Sequence, residues 1–344
     1  MRLGVAHALV DGELVPGDVE LGDGTLVAVG LAGPGSGIAA PGFVDVHIHG
    51  FAGVDFATAD AEGYRVATEA LLATGVTEFR PSFITASEEE LVAALREVPR
   101  GLGAHLEGPF ISPKRLGMHP AGARREPDAA LLERFLAAGP VAHMTLAPEL
   151  PGALELVDTL VARGVTAACG HTDATAEQAY AAFDCGARHV THLFNAMRPF
   201  THRDPGIAGA ALTRDDVTVE LILDGHHLSD EAVRLALRAA GARIALVTDA
   251  LAAAGKGDGD WRMGPQQVFV RDGVARLENG VLAGSVLTMP AAIRELVRIG
   301  GTVEQALHAA SRRSLSPGVP ADVVVLDDAL EVRDVYLGGV RRGL

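Results

Sequence analysis

The chain of 344 residues is 48% apolar and 21% charged, with 29 Lys and Arg against 44 Asp and Glu and only 2 Cys. This excludes a disordered or collagenous chain and suffices for one large α/β domain with an appendage. The formal charge of −15 argues against wholesale binding to nucleic acid or an anionic membrane, so an anionic ligand must meet a local cationic site.

Residues 1–40 read as short strands, Leu3 to Val10, Val19 to Leu21 and Thr25 to Val29, separated by turns at Asp11-Gly12 and Asp23-Gly24. Asp11 and Glu13 interrupt the first apolar stretch before it could form a signal-peptide core, and no run approaches the ~20 apolar residues of a membrane span. Cys169 and Cys185 make no disulfide framework, which points to a reduced cytoplasm. From Pro41 the texture changes to apolar strands alternating with Ala/Leu/Glu/Arg-rich helices. Strands are expected to end near His47, Phe83, Glu107, Pro148, His171, His192, Gly225 and Asp249. Helices are expected at Ala61 to Ala73, Glu88 to Val98, Asp128 to Ala138, Ala153 to Arg163, Ala176 to Cys185 and Asp230 to Ala239. Eight such units predict a (β/α)8 barrel, whose functional groups project from the C-terminal strand ends. A Gly-rich, hairpin-like stretch to Gly284 and two helices before Ser311 follow. Strand texture then returns in Ala321 to Leu326 and Val332 to Tyr336. The predicted division is a barrel over 41–316 and a small β-sandwich built from 1–40 and 317–344, since neither terminal piece alone buries a core.

The first barrel strand ends Asp45-Val46-His47-Ile48-His49, and residues i and i+2 of a strand share a face. Two imidazoles on one face can chelate a divalent cation. The bare His-x-His is equally read as two polar strand-end residues. Glu107 could be a solvated loop carboxylate, and His171 and His192 could each be hydrogen-bonded structural groups. Recurrence decides between the readings: His47, His49, Glu107, His171, His192 and Asp249 all fall at predicted strand ends. Together they describe a hydrolytic metal centre with an open water position. His7, His143, His189 and His308 lie outside these motifs and are read as surface or structural.

His47-x-His49, His105-Leu106-Glu107-Gly108-Pro109, Gly170-His171-Thr172, Thr191-His192-Leu193-Phe194-Asn195-Ala196-Met197, Asp224-Gly225-His226-His227, Thr248-Asp249-Ala250 and Leu282-Ala283-Gly284-Ser285 follow one another along the chain. In this order they resemble the N-acetylglucosamine-6-phosphate deacetylases of the amidohydrolase superfamily. The resemblance implies that Glu107, His171 and His192 hold the principal metal, with His47 and His49 able to add a second. It implies Asp249 as catalytic acid/base and His119, beside Met118, as a contact near the scissile amide. Asn195, Ala196, Arg203 and His227 correspond to sugar-phosphate contacts, Leu282, Ala283 and Gly284 to a substrate-lining segment, and His226 to a further pocket residue. The implied cofactor is one or two divalent cations, zinc first, with iron, cobalt or manganese also suited to such ligands. The implied partners are a phosphorylated amino sugar and a second copy of the chain in a homodimer.

Lys114 and Lys256 are the only lysines, and neither lies near the strand-four terminus Thr145-Leu146-Ala147-Pro148-Glu149. The carboxylated-lysine bridge of many binuclear amidohydrolases is therefore closed to this chain, which leaves Glu107 as bridge or ligand. Alternative readings are the galactosamine epimer as substrate, an amidohydrolase acting on cyclic amides or nucleobases, and a non-catalytic scaffold.

Overall fold

The computed structural model describes residues 1–343. Eight parallel strands lie side by side in chain order: β1 Phe43–Ile48, β2 Val76–Ile84, β3 Ala104–Glu107, β4 Val141–Leu146, β5 Thr166–Cys169, β6 His189–Val190, β7 Thr218–Leu221 and β8 Ile244–Leu246. Between them run α1 Ala61–Ala73, α2 Glu88–Glu97, α3 Ala129–Ala138, α4 Ala153–Ala162, α5 Ala176–Asp184, α6 Gly206–Thr213 and α7 Asp230–Ala240, with α8 Met289–Ile299 and α9 Val303–Ser311 after β8. The fold is a (β/α)8 barrel. Several helices start where a short polar side chain accepts their orphan N–H groups, as at Asp60, Asp128 and Ser229; Ser87 with Glu90 and Thr175 with Gln178 form full capping boxes. Helix α6 is absent from the sequence expectations. Its Gly-Ile-Ala-Gly-Ala-Ala-Leu run is buried all round and so carries no amphipathic stripe.

The seam between β8 and β1 is joined by side chains as well as backbone. Asp249 N–H donates to the His47 carbonyl at 2.8 Å. Asp45, fully buried, accepts from the Thr248 hydroxyl at 2.6 Å and from the Thr248 N–H at 3.3 Å. The same contact that closes the barrel thus fixes the two residues flanking the future site.

The small β domain is a six-stranded sheet in the order Glu13–Pro16, His7–Val10, Ile38–Pro41, Val323–Leu326, Val332–Leu337, Val340–Arg342, covered by the hairpin Asp18–Gly22/Thr25–Leu31. Ile38–Pro41 pairs in parallel with His7–Val10 and antiparallel with Val323–Leu326, so it stitches the two chain ends together just before β1 begins. Leu3, Val5, Val19, Leu21, Leu26, Val323 and Val325 form its buried core. At the barrel mouth a three-stranded sheet, Gly259–Met263, Gln266–Arg271 and Val274–Arg276, packs Met263, Val268 and Val270 against Ile84, Met118 and Leu251. No helix among the described residues is long and apolar enough to cross a membrane.

Thr248→Val keeps the volume but leaves the buried Asp45 carboxylate short of its strongest donor. Equilibrium unfolding is expected to show a loss of about 2–3 kcal/mol; an unchanged midpoint would mean that the seam does not depend on this bond.

Candidate active site and metal centre

Regular pairing ends at Cys169, Val190 and Leu246, before His171, His192 and Asp249. All three lie in the left-handed region, at φ 46°, 31° and 49°. Non-glycine residues seldom adopt that conformation, and its recurrence at one rim marks strain held in place by the surrounding fold. It turns the three side chains over the barrel axis, where Glu107 from β3 and His47 and His49 from β1 already point.

Six side chains converge as two groups: Glu107, His171 and His192, then His47, His49 and Asp249. Within each group the ligand-type atoms lie within 4.8 Å of one another. Glu107 Oε1 is 3.0 Å from both His171 Nε2 and His192 Nε2; its Oε2 is 3.4 Å from His49 Nε2. His49 Nε2 is 3.1 Å from Asp249 Oδ1, and His47 Nε2 is 3.6 Å from both Glu107 Oε1 and Asp249 Oδ1. Glu107 therefore faces both groups.

Backbone partners fix which nitrogen of each ring faces the site. His171 Nδ1 lies 2.9 Å from the Arg115 carbonyl and His49 Nδ1 lies 3.0 Å from the Ser82 carbonyl. A carbonyl only accepts, so Nδ1 carries a proton in each, and Nε2 is the nitrogen left to face the cavity and offer a lone pair to a cation. These Nε2 atoms stand 3.1 Å from His192 Nε2 and 3.2 Å from His47 Nε2, respectively, and beside carboxylate oxygens. Lone pairs aimed at one another and at anions need cations between them. Burial by itself would lower the His49 imidazole, but hydrogen bonds and charge from Asp249 and Glu107 outweigh it and lift the group to about 9. Without an ion, protons neutralise the site; a divalent cation takes their place. The donor set fits such an ion.

His119 has the opposite tautomer. Its Nδ1 accepts from the Thr85 backbone N–H at 3.3 Å, so the ring proton sits on Nε2, which is 3.2 Å from Glu107 Oε2. Burial and the neighbouring His171 push this imidazole down to about 4, which keeps it a neutral N–H donor. Asp249 is held below the usual carboxylate range because His47 and His49 outweigh the effect of burial. The site thus pairs lone-pair donors with one N–H donor and one anionic base.

A cavity of about 220 Å³ opens above these groups, lined by His49, Glu107, His119, His171, His192 and Asp249 on its floor. Gly117, Met118, Asn195, Ala196, His227, Val281, Leu282 and Gly284 form its walls. Gly284 has φ 64°, and a Cβ there would stand 2.8 Å from the Asp249 carbonyl oxygen, so a side chain would displace the aspartate. Ala283 is buried behind the wall, and His47 lies beneath the floor rather than on it. His227 is fixed by Asp224, which accepts from its Nδ1 at 2.8 Å. His226 and Arg203 are exposed and do not line this cavity. Among the described residues no Arg or Lys lines it. The sequence reading missed Thr85, which sets the His119 tautomer, and Glu220, which contacts His47. Neither has a motif to announce it.

Residues 38–340 match the amidohydrolase family. The N-acetylglucosamine-6-phosphate deacetylase of Lysinibacillus sphaericus is 37% identical over 324 residues, covering 87% of this chain and 84% of that protein. The N-acetylgalactosamine-6-phosphate deacetylase of Escherichia coli O157:H7 is 36% identical over 324 residues, covering 87% of this chain and 86% of that protein. A mutant N-acetyl-D-glucosamine-6-phosphate deacetylase from Mycobacterium smegmatis, solved in complex with N-acetyl-D-glucosamine 6-phosphate, superposes with a TM-score of 0.94 at 38% identity, covering 99% of this chain and 98% of that one.

Chelator treatment is expected to lower the thermal midpoint, and a divalent cation to restore it, because an ion bound only by the folded state stabilises it by about 4 kcal/mol at a thousandfold excess over its Kd. A midpoint indifferent to both treatments would leave the six side chains as ion pairs alone.

Proposed function

As a member of the amidohydrolase family, we propose, this chain hydrolyses N-acetyl-D-glucosamine 6-phosphate to D-glucosamine 6-phosphate and acetate, in amino-sugar catabolism or recycling. The observation that carries the reading is the sorting of tautomers around Glu107: lone pairs on the metal-ligand side, an N–H at His119, and the anionic Asp249 between them. Relatives that act on this substrate, at 37–38% identity over most of the chain, supply the substrate class.

Glu107, His171 and His192 are the proposed ligands of the principal cation, with His47 and His49 completing a second position. Zinc is the first candidate; iron, cobalt and manganese accept the same N/O donors. A bound divalent cation supplies Lewis acidity and lowers the pKa of water from 15.7 to about 7. Asp249 accepts the proton of the attacking water and delivers it to the departing amine, so one carboxylate serves both steps. The His119 Nε2–H donates to the acetamide oxygen as negative charge develops there, a contribution worth about 3–4 kcal/mol for a well-placed donor. Met118 and Leu282 to Gly284 close over the sugar.

The phosphate falls to Arg203, His227 and the Asn195-Ala196 segment. Arg203 lies outside the cavity of its own chain and is the group expected to complete the pocket of a second copy in a homodimer. Its planar guanidinium suits a phosphate bidentately. The enzyme is expected to act in the cytoplasm. The galactosamine epimer is the second reading, favoured by the 36% identity to the E. coli enzyme of that specificity. A non-catalytic scaffold is disfavoured, since it has no need to retain strained ligand residues.

Acetate release by the metal-replete protein tests the reading. Turnover on the phosphorylated glucosamine substrate is expected, and turnover confined to unphosphorylated or non-sugar amides would overturn it. Asp249→Asn is expected to lower kcat by about 10²–10⁴-fold while metal content is retained. Arg203→Ala is expected to raise KM for the phosphorylated sugar at least about tenfold with a smaller change in kcat, since it removes binding common to ground and transition states; an unchanged KM would remove Arg203 from the phosphate site.

A further inference from the structure

We propose that Glu220 is the positioning residue for the second cation, acting through His47. The proposal rests on reading His47 as a ligand. Glu220 stands on β7, wholly buried inside the barrel beneath the metal centre. Its Oε2 lies 3.2 Å from His47 Nδ1 and 3.3 Å from the His192 backbone N–H. A backbone N–H only donates, so this oxygen is an acceptor. The His47 ring meets it with its Nδ1 proton and turns Nε2, the nitrogen free to ligate, toward Glu107 and Asp249.

The other two fixed ligands obtain the same tautomer more cheaply. His171 and His49 donate to the neutral backbone carbonyls of Arg115 and Ser82. Only His47, among these three, is held by a carboxylate. A carboxylate partner raises the basicity of the ligating nitrogen and adds negative charge to the site, which a neutral carbonyl does not. Glu220 also accepts from the His192 N–H just beyond β6, so a single side chain sets the spacing between a ligand of one cation position and a ligand of the other.

The floor under Glu220 explains its orientation. Its second oxygen faces His189 Nδ1 at 3.6 Å and His143 Nε2 at 4.0 Å. These three residues mimic a further metal group. Arg80 argues against that use. Its Nη1 donates to His143 Nδ1 at 3.0 Å, which leaves the His143 proton on Nε2, directed at Glu220. An N–H cannot ligate, and the adjacent guanidinium opposes a cation. Arg80 and His143 therefore support the Glu220 charge from below while His47 uses it from above.

The test is stepwise metal titration of the chelator-stripped full chain against a chromophoric competitor, with zinc and with cobalt(II), for wild type, Glu220→Gln, His47→Asn and the double variant. Glu220→Gln is expected to weaken the second equivalent about 10–100-fold, to alter its cobalt absorption bands, and to leave the first equivalent and the metal-free thermal midpoint near wild type. In the His47→Asn background the Glu220 change is expected to add nothing. Additive losses, or a wild-type affinity for the second equivalent in Glu220→Gln, would overturn the role of Glu220 while leaving His47 a ligand. If His47→Asn binds two equivalents like wild type, both readings fall. Should Glu220→Gln not fold, wild type loaded with cobalt(II) gives the answer. Proton NMR in water is expected to show a hyperfine-shifted, slowly exchanging His47 N–H that His47→Asn removes; its absence overturns the proposal.

Discussion

Everything at the mouth of this barrel answers to one buried carboxylate. Glu107 is 3% exposed and its two oxygens meet His171, His192, His49 and His119 within 3.4 Å. An isolated anion in such a place costs several kcal/mol, and it persists only where positive charge and hydrogen bonds surround it. Neutral imidazoles with lone pairs facing it do not meet that requirement alone. The fold instead delivers them from β1 and from the loops beyond β5 and β6, and brings Asp249 to the same point. Five strands thus converge on a geometry that makes chemical sense around a cation. The left-handed backbone at His171, His192 and Asp249 is the strain that this convergence imposes.

The sequence was most informative where physical periodicity and chemistry coincide. The His47-x-His49 spacing, the apolar strands interrupted at their ends by His or carboxylate, and the Asp-Gly turns are local signals, and residue 11 at φ 51° and residue 23 at φ 50° sit in the backbone region those turns demand. What the sequence hid was hidden for physical reasons. Helix α6 lacks a polar face because it is buried on every side. The interior column of Arg80, His143, His189 and Glu220 mimics the polar half of a solvent-facing strand, because alternation reports which residues share a face and not whether that face meets water. Thr85 and Asp45 act through backbone or seam contacts with partners far away in sequence. Arg203 and His226 follow site motifs in the chain, yet loop direction turns both outward.

The scarcity of lysine gains a structural counterpart. At the end of β4, where relatives with another chemistry carry a bridging lysine, Thr145 is buried between the His105 ring, 2.8 Å away, and the Thr191 hydroxyl, 2.7 Å away. Lys114 is exposed and pairs with Asp173 instead. A lysine at Thr145 would have to displace a hydrogen-bonded layer that joins β3 and β4 to the residue just beyond β6. The bridge position is thereby left to β3, and Glu107 is the anion that reaches both groups.

Charge alone would not make this site selective, since five imidazoles crowd one carboxylate and any of them could in principle bind an ion. The backbone decides among them. A carbonyl at Nδ1 of His49 or His171 commits the ring to offering a lone pair; the Thr85 amide at Nδ1 of His119 commits that ring to offering a proton. Identical side chains a few ångströms apart thereby take complementary parts, one kind holding a cation and the other facing the oxygen where charge develops. The Nδ1 partners are neutral main-chain groups that do not titrate, so each ring keeps its orientation, and the His49 lone pair is exposed when a cation displaces the Nε2 proton that Asp249 and Glu107 otherwise hold there. The folded barrel therefore presents a centre organised for hydrolysis before cation or substrate arrives.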